Sequence, residues 1–204
     1  MATVTSTRDP SPGRPRQFDA EVALDAAEAI FRERGFHATS IADLGTAMGL
    51  TTGSIYKAFS DKRSVFLATF DRYTRRRQSR LAAAIALQTT GLSKVRALLH
   101  FYILSSVGAE GRRGCLVVGG ATQLTTFDTE IVSRITNALA HMEALLVDLI
   151  ELGKHDGSLA RDVDAAAAAR TVLCFLQGAR VVGKTGRTRK EMLSTVDMVL
   201  RMLL

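Results

Sequence analysis

Three stretches of the chain hold residue types at spacings that could do chemistry. The first is Thr51, Thr52, Gly53, Ser54 and Lys57, short hydroxyl, glycine and ammonium groups sized to reach base edges and phosphate oxygens. The second is GARVVGKT, from Gly178 to Thr185, which has the letter pattern of a phosphate-cradling loop, with ALLVD ending at Asp148 in the place of a magnesium-holding acid. The third is Cys115 in RRGCLVV, where Arg112 and Arg113 precede a thiol near an expected helix start. Those conditions lower a thiol pKa and suit a sensor of oxidants or electrophiles, the alternative being an inert buried cysteine. His37, His100, His141 and His155 show no HExxH or other metal-ligand spacing, so no metal and no cofactor are expected. No GxSxG elbow, paired carboxylate site or Cys-His arrangement supports an enzyme.

The elements that must hold these groups read as helices. All three prolines, Pro10, Pro12 and Pro15, precede Arg16, so the rest of the chain lacks the residue that interrupts helices most reliably. Residues 1–13 are polar and rich in Ser, Thr and Pro, and are expected to be a disordered lead. Asp19 can cap a first helix carrying Val22, Ala23, Ala26, Ala27, Ile30 and Phe31 at helical spacing to Gly35. Thr39 or Ser40 caps a second with Ile41, Leu44 and Met48 on one side, closed by Gly49. Thr51 opens a third bearing Ile55 and Phe59 inward, and Ser60 or Asp61 opens a longer fourth through Phe66, Phe70 and Tyr73. Beyond residue 80 the periodicity predicts helices over 92–109, 114–125, 129–155, 163–183 and 188–203. This placement argues against the phosphate loop: only helical pattern surrounds GARVVGKT, with no room for a parallel sheet, so Gly178 reads as close helix packing and Gly183 and Gly186 as the helix end.

Composition narrows the partners. Hydrophobic residues make up 47% of 204 and charged residues 23%, as in globular domains that bury a core. The 27 Lys and Arg against 20 Asp and Glu give a net charge of +7, which favours a polyanionic partner without choosing among DNA, RNA and a membrane. Two distant cysteines, Cys115 and Cys174, point to a reduced cytosol. No apolar stretch is read as long enough to span a bilayer, and no signal peptide is expected, which predicts a cytoplasmic protein.

Two short helices joined through Met48, Gly49, Leu50 and Thr51 have the layout of a helix-turn-helix. Leu44, Leu50, Ile55 and Phe59 would lock them at a steep angle, leaving the first turn of the second free to enter a major groove. The stretch from Phe18 to Tyr73, above all TSIADLGTAMGLTTGSIYKAFSDKRSVF, resembles the DNA-binding domain of the TetR family of bacterial transcriptional regulators. The likeness rests on Thr39, Ser40, Gly49, Gly53, Ile55, Tyr56, Phe59 and Lys62 at the family's intervals. It implies that Thr52, Gly53, Ser54 and Lys57 face bases or nearby phosphates, that Tyr56 sets its hydroxyl on the backbone, and that Lys62 meets a phosphate. Ala58 departs from the pattern, where relatives often carry His or another large polar residue. The residues themselves agree: helix starts at Thr39, Ser40 and Thr51 favour anions, and Gly13, Arg14, Pro15 and Arg16 form a basic arm for the minor groove, the alternative being a plain tail. Arg75, Arg76, Arg77 and Arg80 read as a solvated face beside the duplex.

The fold class expected is therefore all-α: a lead over 1–13, a three-helix helix-turn-helix domain with the start of a connecting helix over 14–62, and a larger helical domain over 63–204. The resemblance implies that the larger domain binds a small-molecule inducer and forms a homodimer through its last two helices. For the pocket, Phe101, Tyr102, Leu104 and Cys115 are candidates, with core packing as the alternative. For the dimer, Ala169, Leu173, Leu176, Arg180, Val196, Val199, Leu200 and Leu203 are candidates. The function expected is a ligand-responsive repressor on a palindromic operator. A nucleotide-binding enzyme and a helical interaction module that ignores DNA are the other classes.

Overall fold

The computed structural model describes residues 19–204. The basic arm with Arg14 and Arg16, and the lead over 1–13, lie outside the described residues. Among the described residues there are ten α-helices, one 3-10 turn and no strand. They are α1 (Ala20–Arg34), α2 (Ile41–Met48), α3 (Thr52–Ala58), α4 (Lys62–Ala86), α5 (Gly91–Leu104), α6 (Gly108–Arg113), α7 (Leu116–Ala121), α8 (Thr129–His155), α9 (Ala165–Gly183) and α10 (Arg189–Arg201).

Side-chain caps set the early boundaries. The Asp19 carboxylate accepts from the amides of Glu21 and Val22 to start α1. Ser40 and Asp43 exchange bonds in a capping box at α2. Gly49 ends α2 in the left-handed region at φ 65°, Thr51 accepts from the Ser54 amide to start α3, and Asp61 accepts from the Ser64 amide to start α4. Two later expectations need correction. The helix predicted over 92–109 stops at Leu104, with the separate α6 opening at Gly108, and that predicted over 114–125 is shortened to α7 and a 3-10 turn at Leu124–Thr126. Glycine sets the limits of α6: Gly108 and Gly114 hold φ of 63° and 88°, so α6 opens at the first and closes at the second, and α7 begins only after Gly114.

Two apolar clusters hold the helices together. One joins α1–α3 and the first half of α4 to α7 and the start of α8, through Phe31, Leu44, Ile55, Phe66, Phe70 and Ile135. The other fills the space among α4, α5, α8, α9 and α10, around Leu98, Leu99, Leu146, Val172, Leu176 and Val196. The second cluster corrects the dimer assignment. Ala169, Leu176, Val196, Val199, Leu200 and Leu203 are buried inside the chain's own core, Leu173 packs against it, and the Arg180 side chain is turned inward. The large apolar side chains exposed on α9, on α10 and at its C-cap are Val181, Val182, Met198 and Met202.

Helix α9 also corrects two other readings. By length and composition it is long and apolar enough to cross a membrane, contrary to the expectation of no such stretch. Its faces fit a core helix, since Ala169, Val172 and Leu176 are fully buried against neighbouring helices. The close approach expected at Gly178 occurs at Gly183 instead. A Cβ on Gly178 would meet nothing, whereas one on Gly183 would lie 2.0 Å from the Ser106 carbonyl oxygen. The GARVVGKT segment itself is the helical end of α9 followed by a turn, so its amides are turned to intrahelical bonds rather than into a phosphate cradle.

Candidate nucleic-acid interface

Helices α2 and α3 lock through Leu44 and Ile55, both fully buried. The Leu50 amide closes the turn by donating to the Gly45 carbonyl at 2.9 Å. This packing leaves Thr52, Gly53, Ser54, Tyr56 and Lys57 exposed on the outer side of α3. Thr51 is exposed too, and its hydroxyl lies 2.9 Å from that of Ser54. The three helix starts differ in charge. Those of α2 and α4 carry Asp43 and Asp61, each held below the usual carboxylate range, Asp43 by hydrogen bonds from Ser40 and Asp61 by bonds from Ser64. The α3 start has a neutral threonine cap and no acid in its first turn. Of the three, it opposes a phosphate least.

Three of the residues expected at DNA are placed differently from their expected roles. Thr39 is buried, and its hydroxyl donates to the Gly35 carbonyl at 2.7 Å, so it ties α2 to the end of α1. Ser40 is exposed but occupied by its capping box. The Lys62 ammonium donates to the Phe36 carbonyl at 3.1 Å and sits 4.3 Å from the centre of the Phe36 ring. Lys62 therefore braces the α1–α2 turn.

Behind this head lies a junction that the sequence reading missed. From α1, Arg32 is buried and donates twice to the Gly114 carbonyl, at 3.0 and 2.8 Å, and to Glu110 and Glu28 at 2.6 and 3.2 Å. From α4, the buried Arg72 reaches back to Glu21 and Asp25 on α1 at 2.6 and 2.7 Å, and Arg76 joins it on Asp25. The stripe Arg75–Arg80 is thus no uniform solvated face, because Arg77 turns inward onto the rings of Tyr73, Phe101 and Tyr102. A signal was available: Glu21, Asp25 and Glu28 recur at helical spacing on α1, as do Arg72 and Arg76 on α4.

A cavity of about 710 Å³ opens at this junction, lined by residues of α1, α4, α5 and α6 together with Ser105. Of the pocket candidates, Phe101 and Leu104 line it, Tyr102 stands behind Arg77, and Cys115 lies on a separate cavity of about 240 Å³. Cys115 accepts a hydrogen bond from the Tyr73 hydroxyl at 3.3 Å. Burial opposes ionisation of its thiol, but the charges of Arg180 and Arg77 and the Tyr73 bond outweigh it and bring the pKa down to about 7. The cations responsible are thus Arg180 and Arg77, while Arg112 and Arg113 are exposed. Arg180 donates to the Ser105 carbonyl and hydroxyl at 2.7 and 2.8 Å and to the Tyr73 hydroxyl at 3.3 Å.

Comparison with known proteins agrees with this geometry at both ends of the chain. Residues 23–69 match the model of bacterial regulatory proteins of the tetR family, and residues 91–197 match the tetracyclin repressor-like C-terminal domain. The HTH-type transcriptional repressor ComR of Escherichia coli is 25% identical over 193 residues, which is 94% of this chain and 92% of that protein. The TetR family transcriptional regulator CifR, solved with 26 bp of double-strand operator DNA, is 28% identical with a TM-score of 0.82, covering 94% of this chain and 100% of that one. A TetR family regulator from Agrobacterium tumefaciens shares the fold at a TM-score of 0.82 and 17% identity, over 90% of this chain and 96% of that one. With its helix-turn-helix matched by one family model and more than half of its length by the family's C-terminal one, the chain belongs to the TetR family of transcriptional regulators.

Proposed function

We propose that the protein is a homodimeric repressor that holds a palindromic operator when empty and releases it when a small molecule binds behind the reading head. The observation that carries this is the outer side of α3, where Thr52, Gly53, Ser54, Tyr56 and Lys57 stand exposed beside a helix start with no acid in its first turn. Thr52, Ser54 and Lys57 read bases, and Tyr56 and Thr51 sit against the backbone. In this reading 14–62 is the head, with Arg14 and Arg16 following the minor groove, and 63–204 carries the ligand and the partner protomer. The dimer face is the exposed side of α9 and α10 around Val181, Val182, Met198 and Met202. A two-fold pair then sets two reading helices about 34–36 Å apart, one turn of DNA. The protein works in the cytoplasm, by binding rather than by catalysis.

A mobility shift on DNA flanking the protein's own coding region tests the reading. The expected result is a retarded complex whose affinity falls on the order of a thousandfold between about 50 and 200 mM salt. Failure to shift any such fragment at the lowest salt would overturn it and favour a helical interaction module.

A further inference from the structure

The charges around the junction cavity do not balance. Its three carboxylates are already spent within the chain: Asp25 on Arg72 and Arg76, Glu28 on Arg32, and Glu110 on Arg32. Five arginines line the same space. Arg32 and Arg76 hold those acids, while Arg77, Arg80 and Arg113 pair with no carboxylate among the described residues, the Arg77 charge acting on the Cys115 thiol. Arg77 is partly buried, with its guanidinium 5.0–5.6 Å from the centres of three aromatic rings and 3.3 Å from the Ser105 hydroxyl, to which it donates. A guanidinium half-buried among rings, with a planar fork of donors, gains from an oxyanion that can reach it. Beside it Phe101, Leu104 and Ala29 supply an apolar wall, and about 710 Å³ is room for a small organic molecule.

We propose that this cavity binds an organic oxyanion, a carboxylate or phosphate head on an aromatic or aliphatic body. The head sits on Arg77 with Arg80 and Arg113 around it, and the body lies against Phe101 and Leu104. This deepens the proposed function and rests on it for one consequence: the occupant touches the head directly. Arg32 of α1 belongs to the same wall and holds α6 through Glu110 and the Gly114 carbonyl. An anion placed there competes with Glu110 and Glu28 for Arg32, and so shifts how α1 leans on α6.

Calorimetric titration of the full chain, without DNA, tests the assignment with benzoate, octanoate and phenyl phosphate against the neutral benzamide and octanamide. The expected result is binding of at least one anion, with its neutral counterpart weaker by about tenfold or more. Carboxylate and phosphate sources are told apart by which anion binds. Arg77→Met should weaken the bound anion by about thirtyfold or more. Should Arg77→Met fail to fold, the double change Arg80→Met and Arg113→Met, both at exposed positions, must still weaken it. Equal binding of acid and amide, anion binding untouched by these variants, or no binding of any of the three anions would overturn the assignment. Because no DNA is present, those outcomes leave operator binding intact as a separate question. Anion binding without any operator shift would instead strike the proposed function.

Discussion

On α3, Thr52, Tyr56 and Lys57 stand exposed, whereas on α4 the polar side chains of Arg72 and Arg77 are drawn into the space between α1 and α5. The outer group is held only by its helix, fixed from below by Leu44 and Ile55. The inner group is tied on every side, by Glu21 and Asp25, by ring faces and by the Ser105 hydroxyl. The contrast separates two jobs. Groups meant for a partner from outside keep their water until the partner arrives, and contribute little to stability. Groups that connect the head to the body are desolvated in advance, so they respond to any new charge beside them and their loss is felt by the fold.

That contrast can be broken in four places, beginning with the largest effect. Phe31→Ala empties the aromatic cluster that Phe31 forms with Phe66, whose ring centre is 5.1 Å away, and should cost about 3–5 kcal/mol in denaturant unfolding. A loss under about 1 kcal/mol would show that the joint between α1 and α4 is not packed as described. Cys115 gives a pH signature. Its thiol is lowered from 9.0 to about 7, so its contribution is lost as pH falls through about 7 and complete above 9.0. Wild-type protein should therefore gain stability over Cys115→Ser between those values, up to about 2 kcal/mol, read from denaturation midpoints. A flat difference across that window contradicts the thiolate held by Arg180 and Arg77.

Smaller effects are expected in the head. Thr51→Ala removes the cap of α3 and should cost about 1 kcal/mol, with weaker DNA binding because the first turn frays. Lys57→Ala should leave stability within about 0.5 kcal/mol while weakening operator binding. A clear loss of melting temperature for Lys57→Ala would erase the distinction between outer and inner groups.

How much of this was legible depended on range along the chain. The caps at Asp19, Ser40, Thr51 and Asp61 and the stop at Gly49 are local physics, written in neighbouring residues, and the structure places each at its helix end. The residues of α9 and α10 read as a dimer face turn out to be core because apolar periodicity ranks the most hydrophobic face first, and that face serves the chain's own interior. Arg32 and Arg72 went unread, and Arg180 was assigned to the dimer, because their partners Gly114, Glu110, Glu21, Asp25 and Ser105 lie at least 47 positions away. Thr39 and Lys62 have family spacing, yet spacing does not say whether a hydroxyl or ammonium finds a carbonyl of its own chain first. The single helix expected over 114–125 starts late, after Gly114 takes a positive φ, and breaks at Gln123, whose φ of −130° and ψ of 21° leave the helical region, and a hydrophobic pattern registers neither.

The central claim is that the outer side of α3 reads duplex DNA. It is tested most directly by the affinity of the double variant Thr52→Ala and Lys57→Ala for the operator fragment that the wild type retards, measured beside its melting temperature. The account predicts that specific affinity falls by about tenfold or more, toward that for unrelated DNA, with melting unchanged. Unaltered affinity and sequence preference in a folded double variant would contradict it.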